Sequence, residues 1–576
     1  MRFRVLALDY DGTIAQSGKL DPETGAAIRE VRERGISVVL VTGRILDDLR
    51  KVAGSLALFD AVIAENGAVL TFPKSGRTFP LVAPVPAALI EAVRMVGIEA
   101  DVGQCVLEAN AEEAERVLAV IRALDLPLVI LFNRGRLMVL PQSVSKATGL
   151  GEALAALRLS RHNAIGIGDA ENDHALLETC ELGVAVPWAT PGLKRAADVV
   201  LAGEGAGAVA AYIRGLGSEL RLSHAGAAPR RVVPLGRARD GRASTLAIRG
   251  RNVLVAGEAG SGKSWITGLI CEQLILEGYS ILVIDPEGDY GTLEGLPGVL
   301  VLGTDGAPSL ADLSRALRFP GASVVVDLCT TPESERLAFV PALLKLASES
   351  RRQFGLPHRI VIDEAQYFLG HPDVRTSLDM ELASYMFVTY KASQLDPHVR
   401  QSSEVLIVTR ETDAGEVNAL RTALGGSGPE REWRETLSSL AMDEAAVLEE
   451  GSGVPRPFVI SPRLTAHVRH RHKYVEVPVA EHLAFVFTRR GVRTGNSART
   501  MKELAALVAQ RPAEELAGHI HRHDFSHWIA DVFRDRATAT AVRELEASLR
   551  ADPEADSGVR IAAAISARYL LPGSPS

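Results

Sequence analysis

Apolar runs of four to six residues recur along this chain, separated by segments with helical spacing of apolar positions. FRVLAL at 3–8 reads as a buried strand, an amphipathic pattern begins at Asp21, and ISVVLV at 36–41 reads as a second strand. Helix and strand patterns alternate again from Lys146 to about Gly215. Such alternation predicts a parallel sheet with helices on both faces. Further runs at 253–256, 281–284, 323–326, 360–362 and 405–408 predict a second α/β domain. Between the two, residues 218–252 carry seven arginines from Arg230 to Arg251 against one acid, Asp240. This stretch reads as a linker ending in a short β segment. After Pro462 the texture changes to a basic, histidine-rich run, RLTAHVRHRHKY, followed by strand-like AFVFTRRG and helical patterns. The final LLPGSPS reads as a frayed tail.

A chain of 576 residues is too long for one core, so two to four domains are expected. With 47% hydrophobic and 23% charged residues its balance is that of a soluble globular protein. A net charge of -8 excludes a polycation, so any nucleic-acid contact must come from local patches. Cys105, Cys180, Cys271 and Cys329 are scattered without a Cys-x-x-Cys pair, which predicts reduced thiols rather than disulfides or a thiolate metal site. No apolar run approaches a membrane span and no signal-peptide pattern opens the chain, so the expectation is a cytoplasmic protein without membrane contact.

Two motif sets carry chemistry. In LALDYDGT, Asp9 and Asp11 follow a buried strand with one residue between them. Alternate residues of an extended segment point to the same side, so both carboxylates can share one site. VVLVTGR ends a strand with Thr42, Lys146 opens a helix, and AIGIGDAEND ends a strand with Asp169, Asp173 following four residues later. The carboxyl ends of such strands are where open α/β sheets bind ligands. The set, over roughly 1–215, resembles the haloacid-dehalogenase-like phosphatases, whose four motifs are present in order. AENGAVL at 64–70 and the insert near 73–140 resemble the subgroup with a cap between the second and third motifs, to which short-cap phosphoglycolate and sugar-phosphate phosphatases belong.

That resemblance implies a Rossmann-like domain with a small α+β cap, acting on a phosphomonoester. It implies Asp9 as a carboxylate nucleophile forming an aspartyl-phosphate. Asp11 protonates the leaving oxygen and later deprotonates water. Thr42 and Lys146 hold the phosphoryl oxygens. Mg²⁺ is expected on Asp9, the Asp11 backbone carbonyl, Asp169 and Asp173. In the cap, Arg134 and Arg136 could meet a substrate anion, but a solvated hairpin turn is the favoured reading.

The second set begins at VLVAGEAGSGKSW. Gly257 to Ser264 fits G-x-x-x-x-G-K-S between a strand and a helix, with Gly257, Gly260 and Gly262 freeing backbone N–H groups to cradle phosphates. Lys263 is expected on the β- and γ-phosphates of ATP and Ser264 on Mg²⁺. HRIVIDEAQYF ends a strand with Asp363, a metal ligand through water, and Glu364, which can polarise an attacking water. With LVIDPEGDYGTL at 282–293, VVVDL at 324–328 and YKASQLDPHVRQ at 390–401, residues 230–465 resemble the HerA/FtsK-like hexameric ATPases. The resemblance implies Gln394 as a γ-phosphate sensor, Arg251 as an arginine reaching a neighbouring subunit's nucleotide, a homo-hexamer, and DNA as a partner. The family's N-terminal barrel is reduced here to at most VVPLGRARDGRASTLAI.

At the far end, HIHRHDFSHW invites a metal reading, but no fixed ligand set is evident, and the spacing of Phe525 and Trp528 favours helix packing. The expected organisation is a phosphatase at 1–217, a linker and β segment at 218–252, an ATPase at 253–465 and a mostly helical C-terminal region at 466–576. The expected function is an Mg²⁺-dependent phosphomonoesterase fused to an ATP-hydrolysing, DNA-translocating domain. Alternatives are nucleic-acid end processing by a kinase-phosphatase, against which Glu364 argues, and an ATP-controlled assembly protein.

Overall fold

A computed structural model describes the chain except for residues 1, 134, 217–230, 248–249, 305, 371–376, 424–427, 450–452, 466–477, 490–491, 534–535, 552–555 and 570–576. Arg134 and the basic run around 467–474 thus lie outside the described residues, as do 218–230 and Arg249 of the arginine-rich stretch and the tail at 570–576.

The first sheet has the order Val199–Val200, Leu182–Ala185, Ala164–Gly168, Val5–Leu8, Ser37–Val41, Ala61–Ala64, Val69–Phe72, Arg77–Pro80. Its first six strands are parallel and the last two form an antiparallel hairpin. The central strands are apolar on both faces because helices cover both. Register then places the chemistry. Leu8 lies opposite Ile167 on one side and Leu40 on the other, so Asp9, Thr42 and Asp169 all emerge from one end of the sheet.

The hairpin Val69–Phe72/Arg77–Pro80 belongs to this sheet, which corrects the expected start of the cap near 73. The cap has its own antiparallel sheet, in the order Leu128–Asn133, Arg136–Pro141, Leu107–Asn110, Ala100–Val102. Helices Ala87–Met95 and Ala114–Ala123 close a small apolar core through Leu89, Val93, Val117 and Ile121.

Among the described residues the second large sheet has eleven strands. Seven are parallel, in the order Val405–Val408, Val253–Ala256, Tyr385–Thr389, Arg359–Ile362, Ile281–Asp285, Ser323–Asp327, Val299–Leu302. Four antiparallel strands extend one edge, and two of them, Val232–Ala238 and Ala243–Ala247, come from the stretch expected as linker and short β segment. Their inward positions Val233, Leu235 and Leu246 pack into the domain core, so the hairpin is part of the second α/β domain rather than a linker. The chain leaves this sheet pinned to helix Lys263–Leu276. The buried Glu272 accepts from Arg463 Nε (3.0 Å) and from the backbone N–H groups of Leu464 (2.8 Å) and Thr465 (3.0 Å).

The C-terminal region packs a hairpin, Phe485–Arg489/Val492–Ala498, against helices including Met501–Ala509, Ala513–His521 and Asp524–Val532. His519 sits buried in this packing. Its Nε2 accepts from the Thr488 backbone N–H (3.0 Å), which leaves Nδ1–H to donate to Asp524 (2.7 Å). It is a satisfied core histidine, in line with the helix-packing expectation.

The two α/β domains meet through a buried polar contact that the sequence did not announce. Glu181 accepts from the Tyr279 hydroxyl (2.9 Å), pairs with His162 Nδ1 (2.9 Å) and lies 3.2 Å from Arg231 Nε. The His162 and Tyr279 rings stack with centroids 3.6 Å apart. His358 is held neutral by burial. Its Nδ1 accepts from the Ser280 N–H, so Nε2–H faces Asn163 Oδ1 at 3.2 Å. His162 and Asn163 precede strand Ala164–Gly168, and Tyr279 and His358 precede strands Ile281–Asp285 and Arg359–Ile362. The domains therefore join at the amino ends of their strands, while the chemistry lies at the carboxyl ends.

Candidate active sites

In the first domain, Lys146 is buried and its Nζ lies 2.6 Å from both Asp9 Oδ1 and Asp173 Oδ1. Asp173 is fully buried, and its Oδ2 accepts the backbone N–H groups of Asp169 (2.9 Å) and Ala170 (3.0 Å). Burial and the Asp173 charge push the Asp9 carboxyl up to about 7 against the opposing pull of Lys146, whose own ammonium is strengthened by the two acids. Asp9, Asp169 and Asp173 each offer a carboxylate oxygen, all within 4.8 Å of one another. Three hard oxygen donors so close, with Lys146 balancing only part of their charge, fit a small divalent cation such as Mg²⁺.

Thr42 is buried beside these groups, its Oγ1 accepting the Arg44 N–H (3.2 Å). Asp11 is half-exposed at the mouth and is held by Arg44 through Nε (2.6 Å) and Nη2 (2.8 Å). Arg44 also bonds Asp48 (2.6 Å). The site opens into a cavity of about 810 Å³ with the core on one wall and cap residues such as Gln104, Asn133 and Arg136 on the other. Arg136 flanks the hairpin turn, as expected, with its side chain 43% exposed; it is engaged by Asp101 (2.5 Å) and Glu108 (3.5 Å) and also lines the cavity. Arg44 was missed by sequence reasoning, although it stands in the TGR of the second motif.

In the second domain the loop after strand Val253–Ala256 turns on Gly257, Gly260 and Gly262, at φ of 146°, 78° and 104°, values that side-chain-bearing residues rarely adopt. Helix Lys263–Leu276 follows, so the loop amides gather at a helix N-terminus. Lys263 Nζ donates to the Glu258 carbonyl (3.0 Å) and Ser264 Oγ to Asp289 (2.6 Å). Ser261 and Thr409 hydroxyls meet at 2.6 Å, tying the loop to the end of the neighbouring strand.

Asp363 and Glu364 are both buried at the end of strand Arg359–Ile362, and Glu364 has a left-handed φ of 45°. Gln366 Nε2 donates to Glu364 (2.7 Å) while its Oε1 accepts from Thr389 (2.6 Å), which fixes the carboxylate. Gln394 is exposed on the turn Ala392–Gln394 after the adjacent strand. Arg251, before the loop strand, pairs with Glu449 of its own chain at 2.8 Å. Asp285, which sequence reasoning did not single out, accepts backbone N–H groups from Gly288, Asp289 and Tyr290, shaping the DPEGDY turn beneath Ser264. Burial and the Asp289 and Asp363 charges push its carboxyl well above the usual range.

Two family models match the chain: haloacid dehalogenase-like hydrolase over residues 6–80 and 95–213, and the central domain of helicase HerA over 233–346. A phosphoglycolate phosphatase of Methanothermobacter thermautotrophicus is 30% identical over 223 residues, covering 37% of this chain and 99% of that protein. Another, of Pyrobaculum neutrophilum, is 32% identical, covering 35% of this chain and 91% of the relative. The stress response protein YhaX of Bacillus subtilis is 27% identical over 35% of this chain and 88% of its own. A solved haloacid dehalogenase-like hydrolase from Bacteroides thetaiotaomicron aligns at 19% identity and a TM-score of 0.32, covering 37% of this chain and all of that one. The chain belongs to the haloacid dehalogenase-like hydrolases through its N-terminal domain. It is an enzyme in which a phosphatase domain of that family is fused to a HerA-like ATPase domain. Among the described residues no helix is long and apolar enough to cross a membrane.

Proposed function

We propose that the N-terminal domain is an Mg²⁺-dependent phosphomonoesterase and the second domain hydrolyses ATP, each at its own site. The observation that carries the reading is the buried Asp9–Lys146–Asp173 array beside Asp169, at the strand ends that also present Thr42 and Asp11. Asp9 attacks phosphorus as the bond to the leaving oxygen breaks, and Asp11 gives that oxygen its proton. Asp11 then takes a proton from water, whose oxygen attacks the aspartyl-phosphate and frees Asp9 and inorganic phosphate. Lys146 and Thr42 offset charge on the phosphoryl oxygens. Mg²⁺, held by Asp9, Asp169 and the Asp11 carbonyl with Asp173 behind them, supplies further charge neutralisation when bound.

In the ATPase, Lys263 and the loop amides hold the nucleotide phosphates. Glu364, fixed by Gln366, orients the attacking water. Translocation of DNA by an oligomer, with Arg251 acting on a neighbouring subunit, is the working extension of this reading.

The test is phosphate release from a panel of metabolite and nucleic-acid phosphomonoesters, with Asp9→Asn as control. The reading requires Mg²⁺-dependent release that the variant loses. Transfer of the γ-phosphate of labelled ATP to DNA ends would instead make the second domain a kinase.

A further inference from the structure

Glu65 follows core strand Ala61–Ala64 and is completely buried. Its carboxylate is spent on the cap. Oε1 accepts the backbone N–H of Gln104 (3.0 Å) and Oε2 that of Cys105 (2.7 Å), both in the turn between cap strands Ala100–Val102 and Leu107–Asn110. Its backbone is spent on the phosphate loop. The Glu65 N–H donates to the Arg44 carbonyl (2.9 Å) and the Asn66 N–H to the Thr42 carbonyl (3.0 Å). Glu65 and Asn66 both hold left-handed backbone, at φ of 53° and 56°, a conformation non-glycine residues keep only when their surroundings enforce it. On the cap side, a Cβ on Gly103 would stand 2.7 Å from the carboxylate carbon and from both its oxygens, so the turn can approach only as glycine. Glu65, Gly103 and Gln104 line the same cavity as Asp9 and Asp11.

We propose that Glu65 is a positioning residue that latches the cap onto the phosphate-binding loop and so sets how tightly the cavity closes around the leaving group. The proposal rests on reading this site as a phosphomonoesterase. The chemistry asks for a carboxylate, because both partners are N–H donors and an ionised acceptor strengthens both bonds. A glutamine would offer one acceptor and turn an NH₂ donor against the second N–H. Alanine at Gly103 breaks the same latch from the cap side and leaves the core loop untouched.

The experiment uses the full chain with Mg²⁺ and p-nitrophenyl phosphate. Glu65→Gln and Gly103→Ala should each raise KM roughly tenfold, the effect of about one lost hydrogen bond, with kcat nearly unchanged. The double variant should be no worse than the poorer single one, because both remove one interaction. Amide hydrogen exchange at Gln104 and Cys105 should quicken in Glu65→Gln. A lower kcat at unchanged KM in Glu65→Gln, with Gly103→Ala like the native chain, would overturn the latch and leave Glu65 as a prop for the core loop. Unchanged exchange in Glu65→Gln would overturn it too. Absence of phosphate release from the native chain would count against the phosphatase reading, and the exchange measurement would still decide the latch.

Discussion

Arg44 grips Asp11 with two nitrogens at once, Nε at 2.6 Å and Nη2 at 2.8 Å, across 33 positions of sequence. A guanidinium fork of this kind fixes the plane of the carboxylate as well as its position. Asp48, on the first turn of helix Leu46–Ala53, holds the other side of the fork. The residue expected to shuttle the proton is thereby aimed before substrate arrives. Arg44→Lys keeps the charge and loses the fork, so phosphate release should fall by roughly ten- to a hundredfold in kcat. Steady-state kinetics on an aryl phosphate check this. A variant with native kcat would show that Asp11 needs no such aim.

Glu364 presents a parallel case. Gln366 bridges it to Thr389 through bonds of 2.7 and 2.6 Å, which fixes the position of the carboxylate. Gln366→Ala should therefore bind ATP as the native chain does and hydrolyse it roughly tenfold more slowly. Glu364→Gln should bind ATP and turn it over far more slowly still. Nucleotide-binding titrations beside phosphate-release rates separate the two effects.

The buried contact around Glu181 should make the phosphatase and ATPase domains unfold together. Removing the acid in Glu181→Ala leaves His162, Tyr279 and Arg231 facing an empty place. Losing one partner of a buried ionic cluster costs about 3–5 kcal/mol. Calorimetry should give one shared transition for the two native domains and two separated ones for the variant. Identical melting of both proteins would mean the contact carries no coupling.

Arg251 is tied to Glu449 within its own chain, so a role at a neighbour's nucleotide requires that ion pair to open on assembly. Arg251→Ala and Lys263→Ala should each be inactive as ATPases. Mixed and reassembled, they should recover part of the activity, because some interfaces then join an intact loop to an intact arginine. Full ATPase activity in a sedimenting monomer would contradict it.

The sequence displayed the strand-end chemistry well, because a carboxylate or threonine closing an apolar run is a local signal. Asp9, Thr42, Asp169 and Asp363 belong to that class; Lys146 at a helix start, Asp173 four residues after Asp169 and the loop Gly257 to Ser264 were legible as short motifs of fixed spacing. What it hid acts across distance. Arg44 and Glu65 matter through partners 33 to 40 residues away, and His162 with Tyr279 through a partner domain. The hairpin at 232–247 was obscured by its arginines: Arg237 is an exposed position of the first strand, Arg239 and Arg242 lie in the turn, and together they make a paired hairpin look like linker.

The most direct test of two independent phosphate chemistries crosses two variants with two assays in the full chain. Asp9→Asn should lose Mg²⁺-dependent release from an aryl phosphate and keep ATP hydrolysis. Lys263→Ala should do the reverse. The structure leads to this crossed result because the domains join at the amino ends of strands whose carboxyl ends carry the chemistry. Phosphomonoesterase activity that survives Asp9→Asn, or that disappears with Lys263→Ala, would contradict the account.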